Sequence, residues 1–136
     1  MSINKTTLEQ VQEFHDTYGL PVENHQTTGN DQTKELRINL LQEELDELKE
    51  ALENDDLVET LDALIDLQYV LDGAFLSFGL QNVKMEAFSE VHRSNMSKLG
   101  EDGKPIRREG DGKVMKGPNY FKPDMTQFIK TKKEAA

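Results

Sequence analysis

The sequence predicts an all-α protein: an antiparallel four-helix bundle with a C-terminal glycine-rich hairpin arm and a short last helix. Three observations predict it. Apolar residues recur at helical spacing through four successive segments. Residues that start and stop helices bracket those segments. Six glycines and prolines then crowd the stretch "EDGKPIRREGDGKVMKGPNY". Short links between long helices favour antiparallel neighbours.

The first helix is "TTLEQVQEFHDTYG", with Leu8, Val11, Phe14 and Tyr18 at helical spacing. Thr6 and Glu9 fit a capping box, and Gly19 followed by Pro21 is a stop. Residues 20–30 form a polar loop. The second helix is expected from Thr33 to Glu53, ended by "ENDD", and the third from Asp56 to Phe78, closed by Gly79. Asn82 is a candidate cap for the fourth, "VKMEAFSEVHRSNMSKL", which Gly100 stops. "PIRRE" and "KVMK" around "GDG" suit a hairpin, and Asp124 can cap a last helix, "MTQFIKTKKE". Residues 1–100 then make the catalytic bundle, and 101–136 an arm of the same single domain.

Lys and Arg number 16 against 26 Asp and Glu, a net charge of −10. Such a chain repels nucleic acid polymers and anionic membranes as a whole. It also repels nucleotides unless cations or metal ions stand where the phosphates go. The absence of cysteine excludes disulfides and thiolate metal sites. No apolar run approaches the roughly 20 residues of a membrane span, and "MSINKTTLEQ" has no signal-peptide core. The expectation is a soluble cytoplasmic protein.

The acids of "LLQEELDELKEAL", residues 40–52, are not all on the wet side. Advancing about 100° per residue places Glu44 and Glu47 inside the arc of leucines, with Glu43 at its edge. Asp46, Glu50 and Glu53 face the opposite, solvated side. The third helix is apolar nearly all round, yet Glu59, Asp62, Asp66, Gly73 and Ser77 share one band. Clustered buried carboxylates either take up protons or enclose something cationic. Hard divalent ions such as Mg²⁺ or Mn²⁺ choose carboxylate oxygens. The plainer alternative is an exposed acidic groove or ordinary ion pairs. A di-iron bundle needs Glu three residues before His on two helices; His15, His25 and His92 all lack it.

These residues resemble a family. Glu43-Glu44-x-x-Glu47, followed by an acid pair on the next helix, is similar to the E-E-x-x-E and E-x-x-D signature of the MazG-like all-α nucleoside triphosphate pyrophosphohydrolases. That superfamily includes the dimeric dUTPases and the phosphoribosyl-ATP pyrophosphohydrolases. Glu59-x-x-Asp62 fits the second half by letters, whereas "DALIDLQYV" resembles the family segment that places the final acid at Asp66, with Asp62 in place of the signature Glu. Asp62 and Asp66 are therefore the favoured ligands and Glu59 the alternative. "FSEVHRSNMSKL" and "DGK…KGPNYFKPD" resemble the ending of the dUTPase and phage-type branch. The resemblance implies Mg²⁺-dependent cleavage between the α and β phosphates, giving a nucleoside monophosphate and pyrophosphate.

Two or three Mg²⁺ ions, for which Mn²⁺ can substitute, would then sit on Glu44, Glu47, Asp62 and Asp66. Glu43 is the candidate catalytic base, or else a surface acid. Asn95 and Lys98, with Arg93, make a candidate phosphate clamp, or else complement the helix dipole. Lys113, Lys116 and Tyr120 either close over substrate, their own or a neighbour's, or are solvated. Phe14, His15 and Tyr18, with Asn24 and His25, are candidates for holding the base, Phe14 and Tyr18 being core residues otherwise. Neither base nor sugar is read out, so dUTP-specific and dGTP-specific members stay open. The rival from another class is a non-catalytic acidic module that oligomerises through its third helix. That helix is too apolar for one bundle, so a homodimer or dimer of dimers is expected.

Overall fold

The computed structural model describes residues 4–130. It is all-α apart from one two-stranded ribbon, and it forms two compact units, Met1–Asn82 and Val83–Ala136.

The first unit holds α1 (Thr7–Tyr18), α2 (Asp31–Glu53) and α3 (Leu57–Ser77). α3 packs along α2 and against α1, so it is the central element. α1 starts on the expected capping box: the Thr6 hydroxyl accepts from Glu9 N–H and the Glu9 carboxylate from Thr6 N–H, each at 3.1 Å. Gly19 ends it in the left-handed conformation, φ 70°. α2 begins two residues before the expected Thr33, because the Asn30 side chain accepts from Thr33 N–H at 2.8 Å and makes Asn30 the cap. Asp56 caps α3 through Glu59 N–H at 3.0 Å.

The loop after α1 is stitched to the end of α3. Glu23 N–H donates to Leu76 O at 2.9 Å and Thr27 N–H to Phe78 O at 3.0 Å. Gly79 makes this approach possible: its φ is +66°, and a Cβ there would stand 1.9 Å from His25 O. Few side chains of the unit are fully enclosed. They include Val11, Ala51, Ala63 and Leu76, but also the polar His15, Arg37, Asp72 and Ser77.

Asn82 does not cap the fourth helix. It lies in a 3-10 turn, Gln81–Val83, and Val83 precedes the helix without a side-chain cap. In the second unit, α4 (Lys84–Met96) ends before the expected Gly100. The hairpin forms as expected: β1 (Ile106–Arg107) pairs antiparallel with β2 (Val114–Met115), Ile106 opposite Met115. The following segment is strapped along α4. Ser94 Oγ donates to Phe121 O at 2.8 Å, Phe121 N–H donates to Ser97 Oγ at 3.1 Å, and Asp124 N–H donates to Glu90 at 2.8 Å. The expected last helix is only a 3-10 turn, Thr126–Phe128, over the described residues, and the rest of "MTQFIKTKKE" beyond Lys130 lies outside them. Asp124 still turns the chain there, accepting from Thr126 N–H at 3.1 Å.

Candidate active site

Antiparallel packing of α2 on α3 brings the acids of both helices to one groove. Glu44 and Glu47 are i,i+3 on α2, so they share a face. Asp66 meets them from α3, and one carboxylate oxygen from each of the three lies within 4.8 Å of the others. Burial first, then a hydrogen bond that the protonated carboxyl donates to Glu47 and the charges of Glu47, Asp66 and Asp62, pushes the Glu44 carboxyl up to about 7. Asp66 is raised for the same reasons: burial, then Asp62, then Glu47.

The remaining acids surround this cluster. Asp62 is exposed and outside the three-oxygen group, yet its charge reaches both Glu44 and Asp66. Glu59 sits farther along α3, in the wall of a cavity of about 420 Å³ lined also by Glu47, Glu50, Asn54, Asp56 and Asp62. Glu43 is exposed beside the groove. The donor set suits a hard cation. Glu44 Oε2 is buried with no hydrogen-bond partner, and the converging atoms are all carboxylate oxygens.

At the other end of the groove the structure adds a residue that sequence reasoning missed. Arg37, seven positions before Glu44 on α2, is only 5% exposed. It packs against Gly73 of α3 beside His15 of α1. Its spacing of two helical turns from Glu44 was the available signal. His15 is 2% exposed and its Nδ1 bonds Pro21 O at 2.9 Å, so its ring lies inside the helices. Phe14 and Tyr18 lie outside: Tyr18 is 68% exposed, and Phe14 touches both Tyr18 (4.6 Å between ring centroids) and Tyr69 (5.6 Å, edge to face). Asn24 and His25 are exposed and bond each other, Asn24 Oδ1 to His25 Nδ1 at 3.3 Å.

The cationic candidates belong to the second unit. Arg93 donates from Nε and Nη2 to Glu90, at 2.9 and 3.2 Å, and lies 4.2 Å over the Phe121 ring. That pairing holds its charge against a carboxylate of its own unit, which the i,i+3 spacing of Glu90 and Arg93 already encodes. Lys116 stands 4.8 Å from the centre of the Tyr120 ring. Asn95 and Lys113 are exposed and Lys98 is half-buried.

Known proteins resemble this chain. Residues 11–95 fit the family model of phosphoribosyl-ATP pyrophosphohydrolase, a span of more than half the chain that holds every acid of the groove. The chain belongs to the phosphoribosyl-ATP pyrophosphohydrolase family. This places it in the superfamily whose signature "EELDE" resembles. An uncharacterized protein of Acanthamoeba polyphaga mimivirus is 39% identical over 79 residues, 55% of this chain and 32% of that relative. The chain thus spans about a third of that relative's length. A candidate NTP pyrophosphohydrolase from Exiguobacterium sp. 255-15 is 28% identical, with a TM-score of 0.48 over 91% of this chain and 92% of that one.

Proposed function

We propose that this member of the phosphoribosyl-ATP pyrophosphohydrolase family is a Mg²⁺-dependent nucleoside or deoxynucleoside triphosphate pyrophosphohydrolase. It cleaves between the α and β phosphates. The observation that carries the reading is the convergence of the Glu44, Glu47 and Asp66 oxygens within 4.8 Å. Asp62 completes the ligand set, with Glu59 at the cavity wall as the alternative fourth acid. Two or three Mg²⁺ ions, or Mn²⁺, would be held there; when bound they neutralise the triphosphate and lower the pKa of water.

The chain's own groups do the rest. Glu43 accepts a proton as the water oxygen bonds to the α phosphorus. The bond from that phosphorus to the bridging oxygen breaks, and pyrophosphate leaves with its electron pair. Phe14 and Tyr18 offer ring faces to the base. The ending "KGPNYFKPD" favours the dUTPase and phage-type branch. The protein acts in the cytoplasm as a homodimer or dimer of dimers, since apolar residues of α3 such as Leu57 and Leu61 are exposed.

The test is a screen of common nucleotides with Mg²⁺ or Mn²⁺, scored by pyrophosphate release. Metal-dependent release from at least one triphosphate is expected; none from any of them overturns the proposal. The exposed apolar face of α3 favours one second reading, a non-catalytic oligomerisation module, and that negative outcome would leave it standing.

A further inference from the structure

The end of α1, the loop after it and the last turns of α3 meet at one side chain. His15 is 2% exposed. Its Nδ1 stands 2.9 Å from Pro21 O, and a carbonyl only accepts, so Nδ1 carries the hydrogen and the neutral ring leaves Nε2 bare. That Nε2 faces Gly73 of α3, 3.1 Å from where a Cβ would stand, and Arg37 Nη1 of α2 lies 2.8 Å from the same point. The two nitrogens are therefore within about 6 Å of each other, with no side chain between them.

This close packing suits a neutral imidazole and no other state. Protonated, the ring gains a hydrogen on Nε2, aimed at a glycine that has no side chain to accept it. It also sets a second positive charge beside the buried Arg37 guanidinium, where little water screens the repulsion. The acids around it are Asp16, exposed on its own helix, and Asp72 of α3, which shares a cavity wall with Val11 one turn earlier on α1. Burial, helped by Arg37, outweighs the Pro21 bond and Asp16, and holds the ring below its ordinary value of 6.5.

We propose that His15 is an acid-released latch: neutral, it pins α1 and the Pro21 turn to α3, and on taking up a proton it lets them go. The far end of the loop stays on α3 through Glu23 N–H to Leu76 O and Thr27 N–H to Phe78 O. Release therefore swings α1 out as a unit while α2 and α3 keep their contact. Phe14 and Tyr18 leave with it. The closed form has its full advantage above about pH 6.5 and loses it as the pH falls below that value. The latch works whether or not the protein turns over a nucleotide.

The test is made on the full chain in EDTA, without substrate. The His15 ring is titrated by NMR, and amide protection from hydrogen exchange is compared at pH 7.5 and 5.5. His15 should titrate below 6.5. Protection of α1 should fall by about three- to tenfold, the most that one pH unit below 6.5 allows, while that of α2 does not fall with it. Glu44 and Asp66 shift global stability the other way, and they do so equally in wild type and in Arg37→Met. Arg37→Met removes the facing charge and keeps much of its volume. It should raise the pH at which His15 titrates and shrink the acid loss of α1 protection. A His15 that titrates at or above 6.5, an α1 whose protection is unchanged at pH 5.5, or an α1 and α2 that lose protection together overturns the latch. So does a folded Arg37→Met in which His15 titrates as in wild type. If Arg37→Met fails to fold, the wild-type titration and exchange decide by the same criteria.

Discussion

Glu44 carries its carboxyl into the α2–α3 groove, where burial and neighbouring acids hold it near pKa 7. Without metal, a carboxyl with a raised folded pKa favours folding in its protonated form. That contribution is full below the unfolded value of about 4.5 and is lost as pH rises through about 7. Asp66 is raised too and acts in the same direction. The melting temperature in EDTA should therefore fall between about pH 5 and 8. Glu44→Gln should flatten that fall, and saturating Mg²⁺ should raise the melting temperature more at pH 8 than at pH 5. A Glu44→Gln protein with the wild-type slope would show that the carboxyl is not the source. For catalysis, Asp66→Asn should cost on the order of 100-fold or more in kcat/KM with helical circular dichroism intact. An active Asp66→Asn beside a dead Glu59→Gln would move the site one turn along α3. The carboxylates were legible in the sequence because an acid among leucines breaks the helical period that burial imposes. Arg37 was not, because an arginine on a helix ordinarily lays its stem on the surface and keeps its head in water. Only packing reveals that the glycine opposite takes in its head instead.

The helices followed local rules where those rules act alone. The Thr6–Glu9 box and the Asp56 cap lie where hydroxyl or carboxylate spacing puts them. α4 shows the limit. Asn82 has the chemistry of a cap, but the chain enters α4 through a 3-10 turn and never aligns that side chain. The end of α4 is likewise set by tertiary bonds. Ser94 and Ser97 exchange hydrogen bonds with the Phe121 backbone 27 and 24 residues away, which no local pattern announces. The same holds for the loop on α3. Gly79→Ala should place a methyl against His25 O in a left-handed conformation and so cost about 1–3 kcal/mol, read as a lower urea midpoint. An unchanged midpoint would mean that the loop yields at no cost.

The whole molecule carries two features that oppose each other. Along α3, Leu57 (81% exposed), Val58, Leu61, Leu64 and Ile65 face water, a patch that soluble monomers seldom leave open. The net charge of −10 keeps like copies apart. Association must therefore bury enough of α3 to outweigh repulsion. Salt screens that repulsion, with a Debye length of about 8 Å at physiological ionic strength. Bound Mg²⁺ would cancel part of the charge at the groove itself. Sedimentation at micromolar concentration should show a dimer or tetramer that tightens with either NaCl or Mg²⁺. Leu61→Glu, which adds charge to the exposed face while leaving the inward face alone, should yield a folded monomer. If wild type stays monomeric at every concentration with saturating Mg²⁺, the α3 face does not join copies of this chain. If Leu61→Glu is monomeric yet fully active, one copy contains the whole site, and the apolar face serves assembly rather than chemistry.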